Sequence, residues 1–299
     1  MFLGAGCSPV RTTRVVPKAQ LKAALEASPA QLTNEYNEIA RGVRSVRATI
    51  ELAPTAGSSY SGVIQEYHNV KGFLLARRPG WVRMIGQAPI VAKNIFDMVS
   101  DGQTFRIYIP SKQKFIVGPT GLERPAKTPL ENLRPQHLLD AIFWPEIPPD
   151  SPPLFEEFSG DTGNYYVLTV LRVSQPAEIA RKIWFDRTNL QIARLQTYGR
   201  AGRLTADVHY SDWQTRSDSP AVPSPALPYP RHITLVRPHD DYRLEIRITK
   251  LTLNEDLSEA QFKLDQPPGT ELVTLEPSKP GTPQSPESDD EQNEQGNPL

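Results

Sequence analysis

The side chains able to do chemistry in this chain do not fall into a catalytic pattern. Its five histidines stand singly, without the close pairing typical of a zinc site. Residues 57–62 are only loosely similar to a nucleophile elbow, because Ser61 replaces the second glycine of that motif, and we interpret them as a turn. No glycine-rich loop precedes a predicted helix, which argues against a nucleotide site. We therefore expect a non-enzymatic protein without a metal or cofactor.

The overall charge excludes another class of function. The 299 residues include 33 Lys+Arg and 34 Asp+Glu, which leaves a formal charge of -1. Binding to a nucleic acid backbone depends on a marked excess of basic residues. The sequence therefore argues against a nucleic acid partner.

Cys7 is the single cysteine, so an intrachain disulfide is excluded. The residues that lead into it, MFLGAG, resemble the end of a bacterial lipoprotein signal, although Gly4 stands where Leu is usual. The charged and apolar parts of such a signal would have to lie upstream of Met1. The pattern predicts a lipid anchor on Cys7, and the alternative is a free thiol in a cytoplasmic chain.

Composition divides the chain into three parts. Residues 1–17 are interpreted as the lipobox-like N-terminus and a tether, and residues 18–275 as one folded domain. Residues 276–299 carry six acidic residues and a single aliphatic residue, Leu299. Such a segment buries too little apolar surface to offset chain entropy, so we expect a disordered tail.

Helix signals occur in two places. Leu21 and Leu25 predict a helix over residues 18–26, and Ser28 with the following Pro and Gln predicts the cap of a second helical segment. A further capping pattern at Thr128 opens a helix that we expect Pro135 to break or kink.

Most of the remaining sequence alternates apolar and polar residues with a period of two, which is typical of strands with one buried face. The Asp101-Gly102 pair predicts a tight hairpin between two of these strands. The fold class is therefore mainly β with a few helices: a curved antiparallel meander of about eleven strands, forming an open half-barrel closed by N-terminal and central helices.

Several short motifs resemble a known superfamily. Residues 72–83, GFLLARRPGWVR, and residues 99–105, VSDGQTF, are similar to the bacterial lipoprotein carrier, which is LolA-like. The segment from Pro225 through the strand at 242–248 is more similar to the LolB-like outer-membrane lipoprotein receptor. Residues 262–269 resemble the final strand of the family.

This resemblance implies a half-barrel whose apolar cavity holds the acyl chains of lipoproteins or lipids, at the periplasmic face of the outer membrane. It implies a periplasmic carrier protein as a further partner. Arg78 falls where the carrier has an arginine that hydrogen-bonds its lid and gates the cavity; the alternative is an exposed charge at a strand end. Ile90 falls in the loop by which the receptor inserts into the membrane; the alternative is a buried turn residue.

The buried face of the predicted sheet supplies candidate cavity-lining residues, for each of which ordinary core packing is the alternative. They are Ile50, Leu52, Ile64, Phe73, Leu75, Phe96, Met98 and Phe105. Two other functions stay open. One is a periplasmic sensor or scaffold lipoprotein on the same fold, resembling anti-sigma-factor-binding regulators, and the other is a hydrolase with an unrecognised site.

Overall fold

The structure is a computed structural model that describes residues 23–57, 65–66, 70–88, 93–122, 134–160, 163–173, 175–215 and 227–276. These ranges contain two α-helices and fifteen strands, four more than the sequence predicts. The helices are α1 (Pro29–Gly42) and α2 (Pro135–Ile142). The strands are β1 (Ser45–Ala56), β2 (Gln65–Glu66), β3 (Val70–Arg77), β4 (Trp81–Gln87), β5 (Asn94–Asp101), β6 (Thr104–Ile109), β7 (Lys114–Pro119), β8 (Leu154–Gly160), β9 (Gly163–Arg172), β10 (Glu178–Asp186), β11 (Ile192–Tyr198), β12 (Leu204–Gln214), β13 (Tyr229–Arg237), β14 (Tyr242–Leu253) and β15 (Glu271–Thr274).

All fifteen strands belong to one open sheet. Fourteen follow a single path in the order β15-β7-β6-β5-β4-β3-β1-β14-β13-β12-β11-β10-β9-β8, and β2 pairs with β1. Every described pair is antiparallel except β15 with β7. The sheet thus consists of two meanders joined by β1, which pairs with β3 on one side and β14 on the other. The predicted mainly β fold with an open antiparallel sheet is confirmed.

The hairpin predicted at Asp101-Gly102 joins β5 to β6. Gly102 has a φ of 90°, a left-handed conformation that glycine adopts without a steric penalty. The Asp101 carboxylate accepts hydrogen bonds from the backbone N–H groups of Gln103 and Thr104, at 2.9 and 2.8 Å. Short-range turn chemistry therefore fixes this connection.

Both helices begin at a proline. Ser28 caps α1 by accepting a hydrogen bond from the N–H of Gln31 at 3.2 Å, as the sequence predicts. Residues 23–28 are not helical, so the helix predicted over 18–26 is wrong for its described part. Pro135 is the first residue of α2 and does not kink it, because a proline at this position has no N–H to leave unpaired. The capping pattern at Thr128 lies outside the described residues. No helix in the described ranges has the length and apolar character needed to cross a membrane.

The helices pack on one face of the sheet, which holds the apolar core. α1 buries Leu32, Tyr36 and Ala40 there, and α2 buries five residues including Leu138 and Ile142. The opposite face is covered locally by the segment after β14, where Phe262 packs against Trp81 with ring centroids 5.7 Å apart. Phe262 ends a short 3-10 turn, and the last described strand is β15. The expectation of a final strand in residues 262–269 is therefore wrong.

In β3 the residues that face the core are the ones predicted to face outward, and the reverse. Leu74 is buried, whereas Phe73 is 48% exposed and Leu75 is half-buried. The inward positions of β3 include Gly72, and a β-carbon there would lie 2.5 Å from the carbonyl oxygen of Ile85. Placing Phe73 and Leu75 on the buried face is therefore wrong, because the close approach of neighbouring backbone admits only a glycine at Gly72.

Candidate functional site

A polar clamp holds the end of α2 and the segment that follows it. Three tyrosine hydroxyls donate hydrogen bonds to its main-chain carbonyls: Tyr36 to Pro145 at 2.8 Å, Tyr210 to Ala141 at 3.1 Å and Tyr229 to Ile142 at 3.1 Å. Burial raises the pKa of each of these tyrosines above its usual range, so the hydroxyls keep their protons. The clamp fixes this segment from α1, β12 and β13 at once.

Asn37 extends the clamp by a two-way contact with Ile147. Its side-chain amide donates to the carbonyl of Ile147 at 3.0 Å and accepts from the N–H of Ile147 at 2.8 Å. Both main-chain groups of Ile147 are thereby satisfied without a strand or helix partner. The clamp therefore spans residues 141–147.

Trp144 occupies the centre of the clamped segment and is fully buried. Its ring stacks on that of Trp213 with centroids 5.8 Å apart and contacts Tyr210 and Tyr229, each at 5.6 Å. Aromatic pairs at these distances contribute beyond the area that they bury. The protein's own side chain thus fills this part of the interior.

Arg78, immediately after β3, connects α1 to the clamped segment. Its guanidinium donates three hydrogen bonds of 3.0 Å to the carbonyls of Val43, Ala40 and Trp144. It also lies 4.9 Å from the ring centre of Phe143. Burial lowers the pKa of Arg78, and Glu146 opposes that effect. The guanidinium stays charged and caps the C-terminal end of α1, where unpaired carbonyls and the helix dipole favour a cation.

A cleft of about 330 Å³ opens beside α1, and we name it the α1 cleft. Its walls come from α1, from the turn between β10 and β11, from the end of β12 and from the chain that enters β13. Its apolar lining continues into the core through Tyr36, Phe185 and Trp213. The lining residues are Glu35, Tyr36, Glu38, Ile39, Phe185, Asn189, Leu190, Gln191, Ile192, Trp213, Leu227 and Pro228.

The residues predicted to line a cavity do not contribute to the α1 cleft. Five of them lie in the packed core with 0–2% of their surface exposed, and they are Ile50, Leu52, Phe96, Met98 and Phe105. Phe73 and Leu75 lie on the other face, as described above. Ile64, Ile90 and Cys7 lie outside the described residues. The α1 cleft is therefore lined by residues other than the predicted ones, although three of them, Tyr36, Phe185 and Ile192, also belong to the core.

The α1 cleft escaped the sequence prediction because its walls come from segments far apart in the chain. Glu38 and Trp213 are separated by 175 positions in the sequence, and nothing in the local pattern of either predicts their proximity. The only available signal was the helical stripe of Leu32, Tyr36, Ile39 and Val43 in α1, which identifies the face that turns toward the sheet. The superfamily motif singled out Arg78 as a candidate, but it did not indicate the three carbonyls that this side chain contacts.

Comparison with known proteins gives likenesses of structure only. Neither a protein-family model nor a curated protein sequence matches the chain. A DUF1329 family protein from Desulfovibrio piger is 12% identical, with a TM-score of 0.51 over 79% of this chain and 95% of that one. The LolA superfamily protein NE2245 from Nitrosomonas europaea is 13% identical, with a TM-score of 0.45 over 80% and 99%. A Vibrio parahaemolyticus domain assigned to outer membrane lipoprotein sorting is 10% identical, with a TM-score of 0.43 over 77% and 94%. At 12% identity, the likeness to the Desulfovibrio piger protein is one of fold alone.

Proposed function

We propose that this protein binds the acyl chains of a lipoprotein or lipid between its helices and the buried face of its sheet, without catalysing a reaction. The observation that carries the proposal is the α1 cleft, whose apolar lining leads from solvent into the core beside helix α1. The lipobox-like sequence at Cys7 supports an anchor on the periplasmic face of the outer membrane as part of the same proposal.

The size of the cleft sets how much of a lipid it shelters. Its volume of about 330 Å³ lies near the lower end of small-molecule sites. Each methylene that leaves water contributes about 0.8 kcal/mol, so sheltering about eight methylenes contributes roughly 6 kcal/mol before the costs of ordering. A ligand held by only part of one chain dissociates readily, which suits a protein that hands its ligand on.

Arg78 has the role of a latch in this proposal. Its three carbonyl partners lie at the end of α1 and in the segment clamped after α2, so Arg78 adds a third link to those that Tyr36 and Asn37 make between the two. In this proposal, breaking the Arg78 hydrogen bonds loosens the C-terminal end of α1 from the clamped segment, while Tyr36 and Asn37 keep the helix attached, and the α1 cleft widens. This agrees with the gating function that the sequence resemblance implies for Arg78.

A binding assay with the full 299-residue chain tests the proposal. We expect a fluorescent fatty acid or an acylated lipoprotein to bind, and Ile39→Arg to weaken binding at least tenfold by placing a charge in the cleft wall. The matched control is Leu272→Arg, which adds the same charge at a residue that is 54% exposed on β15. Circular dichroism would check that both variants fold. If the parent chain binds neither ligand, the proposed function is rejected.

One observation favours a second function, that of a periplasmic sensor or scaffold. Trp144 and its clamp fill the inner face with the protein's own side chains, as such a role would predict. The same assay separates the two functions. A scaffold binds neither ligand, and it gives equal results for Ile39→Arg and Leu272→Arg.

A further inference from the structure

The α1 cleft combines an apolar floor with charge of one sign at its rim. Among its described lining residues, Glu35 and Glu38 are the only charged ones, and both carry carboxylates. Asn189 and Gln191 add neutral polar groups on the opposite wall. A ligand that fits this lining therefore has an apolar body and a group that carries positive charge.

The two carboxylates are placed where they do not stabilise their own helix. Glu35 and Glu38 are three residues apart in α1, a spacing at which like charges repel. Glu35 is the seventh and Glu38 the tenth of the fourteen residues of α1, so both lie outside the first turn, where the helix dipole would stabilise a carboxylate. Glu35 accepts one hydrogen bond, from the Gln31 side-chain amide at 2.9 Å, and Glu38 makes no hydrogen bond or ion pair within the described part of the chain. Both carboxylates are therefore available to a ligand.

Aromatic rings line the same cleft as these carboxylates. Trp213 is held in place by its stacking on Trp144 and by the hydrogen bond that its Nε1–H donates to the carbonyl of Ile192 at 3.0 Å. Tyr36 and Phe185 complete the aromatic part of the lining. Ring faces attract ammonium groups, and carboxylates beside them add to that attraction.

We propose that the α1 cleft selects ligands in which an ammonium group is attached to an apolar chain. This inference rests on the proposed function, because it concerns the same cleft, and it adds the charge of the group that accompanies the chain. The ammonium lies at the rim between Glu35 and Glu38, and the chain extends over Trp213 and Phe185 toward the core. No covalent step is involved.

Single-chain probes below their micelle concentrations test the charge preference by calorimetry on the full chain. We expect octylammonium to bind about tenfold more tightly than 1-octanol, and octyl sulfate to bind more weakly than both. The double variant Glu35→Gln/Glu38→Gln should bind octylammonium and 1-octanol with equal affinity. The control Glu51→Gln/Glu271→Gln removes the same charge from exposed residues of β1 and β15, and it should keep the tenfold preference.

The outcomes separate this inference from the proposed function. Equal binding of octylammonium and 1-octanol by the parent chain overturns the charge preference and leaves acyl-chain binding standing. Failure of both probes to bind overturns the cleft as a ligand site. The inference is also overturned if Glu51→Gln/Glu271→Gln loses as much of the preference for octylammonium as Glu35→Gln/Glu38→Gln does. The effect would then come from the net charge of the protein and not from the cleft.

Two sources supply an ammonium beside acyl chains, and further arms distinguish them. One is the headgroup of an ethanolamine lipid, and the other is the free α-amino group of a diacylated N-terminal cysteine. Tighter binding of short-chain phosphatidylethanolamine than of phosphatidylglycerol supports the lipid source. Tighter binding of a diacylated cysteinyl peptide than of its N-acetylated form supports the lipoprotein source. Absence of both differences overturns the inference.

Discussion

Replacing Arg78 should both destabilise the protein and loosen α1 from the clamped segment. Arg78→Ala removes three hydrogen bonds donated by a charged group and leaves the carbonyls of Ala40, Val43 and Trp144 without that partner. Hydrogen bonds from charged groups contribute about 1.5–3 kcal/mol each. They are not additive here, because all three share one half-buried side chain. We therefore expect the free energy of unfolding to fall by roughly 3 kcal/mol.

Arg78→Lys keeps the charge but has a single ammonium group in place of the planar fork, so it cannot reach all three carbonyls at once. We expect it to lose about half as much stability as Arg78→Ala. Urea denaturation followed by circular dichroism gives the free energies. Hydrogen exchange at the backbone amides of Val43 and Phe143, which bond to the last turns of α1 and α2, reports on local opening.

The control for this series is Arg247→Ala, which truncates an exposed arginine on β14. A loss of stability in Arg78→Ala no larger than in Arg247→Ala would refute the latch. Unchanged exchange at Val43 and Phe143 would also refute it, because the three hydrogen bonds would then not restrain either helix end.

Two further predictions concern the sheet. Burial opposes ionisation of Asp207, but hydrogen bonds from Arg194 and His209 outweigh it and lower the pKa of Asp207 to about 2. The stabilisation from the lowered pKa is complete above the unfolded pKa of about 3.9, and it disappears as the pH falls toward 2. Between pH 5 and 2, the free energy of unfolding of the parent should therefore fall by roughly 2 kcal/mol more than that of Asp207→Asn. Equal losses in urea titrations would contradict this. Gly86→Ala should cost about 1–3 kcal/mol, because its β-carbon would lie 2.4 Å from the ring of Phe96. Gly86→Ala combined with Phe96→Leu should recover part of that loss in thermal unfolding, and a wholly additive effect would show that the ring is not the obstacle.

The phase of β3 shows what the sequence does not determine. Residues 72–76 read GFLLA, which is apolar on both faces, so alternation alone does not choose between Phe73 with Leu75 and Leu74 with Ala76. The choice depends on neighbouring strands, since Gly72 and Gly86 must face inward where Ile85 and Phe96 approach closely. In β6 the apolar Phe105, Ile107 and Ile109 alternate with the polar Thr104, Arg106 and Tyr108, so the pattern identifies the inward face, and Phe105 is buried as predicted.

Features of the candidate site that depend on neighbouring residues in the sequence were predicted, whereas those that depend on contacts between distant segments were not. The cap at Ser28 and the turn at Asp101 depend on residues within a few positions of each other, and both were predicted from the sequence. The motif around Arg78 indicated a functional arginine, but its partners come from two other segments of the chain. The α1 cleft depends on how α1 packs beside the β10–β11 turn, the end of β12 and the chain that enters β13, so only the folded chain reveals it.

The position of β1 between the two meanders has a consequence for how the chain folds. β1 pairs on one edge with β3, which is close in the sequence, but on its other edge with β14, about 200 residues later. Until β14 is in place, eleven residues of β1, from Val46 to Ala56, have an unpaired backbone on one side. A chain truncated before residue 242 would therefore expose a long strand edge, which is a site for aggregation with other chains.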